Sequence, residues 1–525
     1  MAKKTVPTKK ASGTKAAKKT APATPPEAAV AAAPLVAPGS PETYRARVRM
    51  YRHGLGDCFL VTFPREGKEP FHMLIDCGVL ARDAQFMTRV VEHIRDTVRD
   101  GKAESKARLD VVVATHEHKD HLSGFNQART VFNEDFDFGA VWLGWTENLT
   151  MPEIKKIKEA KKKAVAKLKA ALASPAAASN LDGVAALFGF SEDDDTTGSG
   201  RIAEALEYLK LRGKDARDLQ YLDPGTGPIE LDGVEGVRVY VLGPPRDPIL
   251  LKGSEVTEQL KKDGVIYHLS STGEVGMDAL SAALDAADAA PGTDGDRYHP
   301  FAIEHRIAPQ SPDSWNPGAM RPNPYYQNIS AFVARTYDDP AQEWRRIDHD
   351  WLNAFDQLAL DLDSDTNNTS LVLAFEMVKT GEVLLFVGDA QVGNWRSWAN
   401  VAFQVPDREK PLPAHDLLNR TVFYKVGHHC SHNATLKKGG LELMVRDDLV
   451  AFVPLDRKTA ASQGKKDPLT GQPKGWDMPA PPLYKALLEK AGKRVVLSDA
   501  NEPISPEAAE AGVVATEMYI DYFLQ

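Results

Sequence analysis

The chain of 525 residues is 42% hydrophobic and 26% charged, with 38 glycines and 35 prolines. Those proportions exclude a collagen-like, fibrous or wholly disordered protein, and no run approaches the ~18 consecutive apolar residues of a membrane-spanning helix. The net charge of −9 is uneven, because residues 1–40 hold seven lysines against the single acid Glu27, which leaves an acidic body that does not attract polyanions by its overall field.

Residues 1–42 are built from Lys, Ala, Pro and Thr without apolar periodicity and read as a disordered tail. A solubilising extension is the plainer role for it, and a basic arm for nucleic acid or another anionic surface is the alternative. Residues 43–525 read as one large domain. Arg47–Pro64 and Phe71–Gly78 look like the two strands of a hairpin, the second ending at Asp76. An amphipathic helix is expected over 83–99, followed by a buried strand at Leu109–Ala114. Thr150 and Glu153 form a capping box that opens a lysine-rich helix to Ser174, read as one docked face and one solvated face. Beyond it come an exposed acidic loop at 191–200, a helix over 201–212 and a strand in 237–245. Two insertions are expected, at about 146–235 and about 246–366, the second rich in aromatic residues. The runs around Leu371, Leu384, Phe423, Phe452, Val496 and Tyr522 form a second series of strands, with a helix near 482–491. Three scattered cysteines (Cys58, Cys77 and Cys430) make no disulfide framework, which fits a reducing, cytoplasmic setting.

The chemistry concentrates in His116-Glu117-His118-Lys119-Asp120-His121, directly after the buried strand. In extended chain His116 and His118 project to one side and reach one metal, while Asp120 and His121 at the following turn reach a second. Other ligands should come from other strand ends. Asp389 closes one, and its two carboxylate oxygens could bridge two cations; His428 or His429 closes another. Asp76, on a separate hairpin, is expected to orient a ligand histidine rather than to bind metal.

With these residues in order, the chain resembles the metallo-β-lactamase superfamily. Within it the likeness is to the hydrolase domain of the bacterial competence protein ComEC and its soluble relatives. Gly56-Asp57, the Asn367-Asn368-Thr369-Ser370-Leu371-Val372-Leu373 run, Gly388-Asp389 and Lys425-Val426-Gly427-His428-His429-Cys430-Ser431 carry it. The resemblance implies an α/β fold, an αββα sandwich with the metals at one sheet edge. It implies metal ligands at His116, His118, Asp120, His121, Asp389 and His428, with Asp76 and Asn367 supporting them. Cys430 stands where the motif has glycine, the family's late His-Pro is here Met478-Pro479, and a middle histidine has no obvious counterpart, although His268, His299, His305 and His349 are available.

Two divalent ions, Zn²⁺ by the mixture of His and Asp and Mn²⁺ as the second choice, would activate water near neutral pH. Asp120 would orient that water, and His429 would stabilise charge or protonate the leaving group. The resemblance implies phosphodiester hydrolysis, with DNA among the candidate substrates. Hydrolysis of small esters, lactones or amides is the alternative, as is a metal-binding scaffold whose insertions engage a protein partner.

Overall fold

In the computed structural model the described residues are 39–81, 84–100, 105–172, 198–251, 332, 335–336, 365–463, 475–499 and 503–525. Nearly all of the basic tail, the acidic loop up to residue 197 and most of the insertion at 246–366, including His268, His299, His305 and His349, lie outside them. The chain is a mixed α/β protein. Its early strands are β1 (Ala46–Tyr51), β2 (Cys58–Phe63), β3 (Phe71–Cys77), β4 (Ala107–Ala114), β5 (Phe136–Gly144), β6 (Leu219–Leu222), β7 (Ile229–Glu230) and β8 (Val237–Gly243). The later ones are β9 (Val372–Met377), β10 (Val383–Phe386), the short ribbon β11 (Ala402–Phe403) and β12 (Leu412–Pro413), then β13 (Thr421–Lys425), β14 (Val450–Val453), β15 (Val495–Leu497), β16 (Val513–Ala515) and β17 (Tyr519–Leu524). One sheet runs β16-β17-β1-β2-β3-β4-β5-β6 and the other β15-β14-β13-β10-β9-β8-β7.

The period-2 alternation of strands sorts their side chains into layers. Met73 and Ile75 of β3, Leu384 and Phe386 of β10, and Val450 and Phe452 of β14 share one apolar cluster. Aromatic pairs bind the two sheets within it, Phe59 with Phe386 at 5.8 Å and Phe423 stacked on Tyr522 at 5.4 Å between ring centroids. On the other face of the first sheet, Leu74 and Val112 meet helices α1 (Ala84–Arg99), α2 (Lys119–Gln127), α3 (Arg129–Asp135) and α5 (Gly198–Asp215); α4 (Pro152–Leu172) lies between α3 and α5 in the chain. On the far face of the second sheet, Leu385 and Ala451 meet α6 (Val392–Ser397) and α7 (Pro481–Ala491).

Two expectations change. The single strand read at Arg47–Pro64 is two antiparallel strands, β1 and β2, broken at 52–57. Gly56 has φ +156°, and a Cβ there would sit 2.8 Å from the Asp120 carbonyl oxygen, so the break lets the chain pass close to the motif segment. The stretch expected as an insertion at 146–235 also supplies structure to both sheets, since β6 pairs parallel with β5 and β7 pairs with β8. Neither α2 nor β5 was read from the sequence: α2 carries Gly124 and the polar end of the motif, and β5 is interrupted by Gly139.

The strands that matter for chemistry end together. β3 and β4 run parallel in one sheet and β10 and β13 parallel in the other, and Leu371 N–H donates to Thr115 O at 2.9 Å between the two sheets beside those ends.

The seam between β1 and β17 holds a fully buried ion pair. Arg49 Nε and Nη2 donate to the two oxygens of Asp521 at 2.7 Å each, with the guanidinium 3.5 Å from the Tyr519 ring. Asp521→Asn removes the counter-charge and should cost about 3–5 kcal/mol in denaturant unfolding; a loss under about 1 kcal/mol would contradict this. Buried His72 is pushed down to about 3 by burial and then by Arg47 and Arg65. The unfolded chain therefore takes up a proton below pH ~6.5 that the folded protein refuses, so stability falls on acidification. Between pH 7 and 5 wild type should lose roughly 1–2 kcal/mol more than His72→Gln; equal losses in the two proteins would contradict it.

Candidate metal centre

After β4 the chain bends at His116 and Glu117, where His118 N–H donates to His116 O at 3.1 Å, is extended at His118 itself (φ −122°, ψ 158°) and turns into α2 at Lys119. Strand end and helix start therefore divide the motif, with His116 and His118 before the helix and Asp120 and His121 in its first turn. The other contributors leave β3, β10 and β13. Several sit in left-handed backbone that disfavours side chains: Asp76 has φ 55°, and His428, His429 and Cys430 in succession have φ 41°, 50° and 65°. Each such residue costs on the order of 1–3 kcal/mol and survives only where the surroundings impose it.

Asp120, His121, Asp389 and His429 each offer one ligand atom, and these atoms all lie within 4.8 Å of one another. His121 Nε2 is 3.2 Å from Asp389 Oδ2 and 3.8 Å from Asp120 Oδ2, and His429 Nε2 is 2.7 Å from Asp120 Oδ2. The opposite ring nitrogens are already engaged. His429 Nδ1–H donates to Pro454 O at 2.5 Å and His121 Nδ1–H to Asp76 Oδ2 at 2.8 Å, so both Nε2 atoms turn toward the carboxylates. His121 Nε2 is buried and makes no hydrogen bond. Two imidazole nitrogens and two carboxylates aimed at one another are a donor set that a divalent cation could complete.

Asp76 behaves as an orienting group. Its Oδ1 accepts from Thr115 N–H at 2.8 Å, and its Oδ2 accepts from Thr115 Oγ1–H at 2.7 Å as well as from His121. With its proton committed, Thr115 Oγ1 accepts from His116 Nδ1–H at 3.0 Å. His116 Nε2 then faces His118 Nδ1 at 3.0 Å, and the His116 ring lies 4.1 Å from that of His121. His116 and His118 thus adjoin the four-residue group without belonging to it.

Two details differ from the sequence reading. His429 rather than His428 joins the group; His428 is half-buried, with Nδ1 2.8 Å from Ser431 Oγ and 3.1 Å from Gln391 Nε2. Asp389 does not present both oxygens, because its Oδ1 accepts from Lys425 Nζ at 3.1 Å and from His428 N–H at 2.9 Å, leaving Oδ2 for His121. Asn367, expected to support the ligands, is buried ahead of β9. Sequence reasoning gave no role to Asp57, Thr115, Ser370 or Lys425. Lys425 ion-pairs with Asp57, whose Oδ2 is 3.7 Å from His121 Nδ1, and Ser370 Oγ accepts from Asp389 N–H at 3.0 Å. Asp57 and Lys425 stood inside the motifs that carry the resemblance, which was the only signal for them.

Electrostatics follow from burying so many acids. Burial would raise the Asp120 and Asp389 carboxyls, but His121, with His429 or Lys425, holds both well below the ordinary range. Burial opposes charge on His121 and His429 in turn; Asp389 and Asp57 for the first, and Asp120 and Asp389 for the second, overcome it and raise both. Asp57 is the exception, pushed up to about 6 because burial outweighs Lys425. His118 and His428, lowered to about 3 and about 4 mainly by burial, are neutral donors. Burial likewise pushes the Cys430 thiol up to about 12, which leaves it a packed residue rather than a soft ligand.

The lysine helix is not wholly solvated. Lys158 Nζ donates to Glu117 Oε2 and Glu147 Oε1 at 2.8 Å each, and Lys161 Nζ is 3.5 Å from Glu117 Oε2, which pins α4 to the motif loop. Burial would raise the Glu117 carboxyl, but the two lysines drive it far down.

No protein-family model, curated protein or solved structure matches the chain.

Thr115→Val keeps the shape of the side chain and removes the hydroxyl that ties His116 to Asp76. Affinity for Zn²⁺ or Mn²⁺ in competition with a chelator should fall ~10–100-fold. An unchanged affinity would show that the hydroxyl orients nothing.

Proposed function

We propose that the protein is a metal-dependent hydrolase of phosphodiesters, built as a metallo-β-lactamase-like αββα sandwich. The observation that carries the reading is the convergence of Asp120, His121, Asp389 and His429 from two sheets on one point, with His121 Nε2 turned to both carboxylates. Those residues would hold the first divalent ion, and His116 and His118 beside them would serve a second, with Zn²⁺ suited to the nitrogen donors and Mn²⁺ to the carboxylates. Bound ions would lower the pKa of water and polarise the scissile bond.

The chain's own residues do the rest. Asp76 and Pro454 O fix the ring orientation of His121 and His429. Asp120, between His121 and His429, would orient the attacking water. His428, half-exposed at the rim, would hydrogen-bond the charge that builds on a substrate oxygen, the part the sequence had assigned to His429. Lys161, part-exposed beside Glu117 of the motif, would suit an anionic substrate such as a nucleic-acid backbone better than a neutral ester.

The test is turnover of bis(p-nitrophenyl) phosphate with added Mn²⁺ or Zn²⁺. His121→Ala and Asp389→Ala should each lower kcat by roughly 100-fold or more. Turnover of p-nitrophenyl acetate or a lactone with none of the diester would overturn the substrate class. Metal binding without turnover of any of them would overturn hydrolysis itself.

A further inference from the structure

His121 faces two carboxylate groups at once. Its Nε2 looks at Asp120 and Asp389, and its Nδ1 looks at Asp76 and Asp57 at 2.8 and 3.7 Å. Asp57, Asp76 and His121 are also spaced to hold a metal ion. An imidazole that gave Nδ1 to an ion would lose the proton it donates to Asp76, and its orientation with it. Something must decide between the two sides.

Lys425, at the end of β13, is 1% exposed. Its ammonium has three protons and meets three acceptors: Gly388 O at 2.7 Å, Asp389 Oδ1 at 3.1 Å and Asp57 Oδ2. It thus supplies the positive charge that Asp57 would otherwise draw from a cation. By occupying Asp389 Oδ1 it also leaves Oδ2 as the single oxygen turned to His121 Nε2. Gly388 makes this approach workable: at φ +53° its Cβ would lie 3.0 Å from Thr115 Cβ and Ser370 Cβ, so only glycine lets its carbonyl face the ammonium without strain.

We propose that Lys425 is a built-in cation that closes the Asp57–Asp76–His121 group to metal ions and directs metal to the Asp120–Asp389–His429 side of His121. This rests on reading that side as a metal centre. A lysine here acts as a fixed charge with no ligand exchange, whereas a divalent ion in the same place would compete for His121 and unsettle Asp76.

The test is metal content by mass spectrometry after equilibrium dialysis against Zn²⁺ or Mn²⁺, with thermal melting of the metal-free proteins alongside. Lys425→Met should bind one ion per chain more than wild type, and Lys425→Arg should keep the wild-type count. Asp57→Asn combined with Lys425→Met removes the vacated charge and should return to the wild-type count. If Lys425→Met does not fold without metal, the ion should restore a cooperative melting transition. Equal metal content in wild type and a folded Lys425→Met, or no restoration by either ion, would overturn the role of Lys425. The metal centre itself fails separately, if wild type binds no ion.

Discussion

The constraint on which the site depends is the confinement of acidic groups around one imidazole. Asp57, Asp76 and Asp389 are buried against His121, with Asp120 at the edge. Charges taken out of water are tolerated only where each finds an opposite charge or a full set of hydrogen bonds. Here Lys425 neutralises one side and the amide and hydroxyl of Thr115 satisfy Asp76, while the oxygens facing His121 Nε2 remain for a cation. The positions of Lys425, Thr115 and His121 are therefore aspects of one charge balance, and removing any one of them reaches the others.

Fold and site are joined by strand direction. Because β3 and β4 are parallel, as are β10 and β13, their C-terminal ends deliver Asp76, His116, Asp389 and His429 to the same end of the two sheets. The left-handed run at His428–Cys430 reverses the chain there and separates the two neighbouring histidines, one inward and one half-exposed. Two imidazoles adjacent in the chain can then take different jobs. The backbone strain belongs to that division of labour and persists because the surroundings impose it.

Much of this was legible in the sequence, and the limits are physical. Runs such as Leu109–Ala114 and Leu384–Phe386 announce buried strands because their apolar length has no other economical use. The His116–His121 hexapeptide announces metal chemistry because clustered imidazoles and carboxylates are costly without a cation. What stayed hidden depends on pairing across long distances. Lys425 looks like any strand residue until it meets Asp57, and nothing local says which of His428 and His429 turns inward, since that is set by backbone φ and by Pro454 O. Lys158 read as part of a solvated face for the same reason: its partners Glu117 and Glu147 belong to other elements.

The central claim is that a cation belongs between His121 Nε2 and the carboxylates that face it. Anomalous diffraction from crystals of the full chain grown with Zn²⁺ tests it most directly. The account predicts a peak coordinated by His121 Nε2, Asp389 Oδ2, Asp120 and His429 Nε2. A peak on the Asp57–Asp76 side of His121, or none near His121 at all, would contradict it.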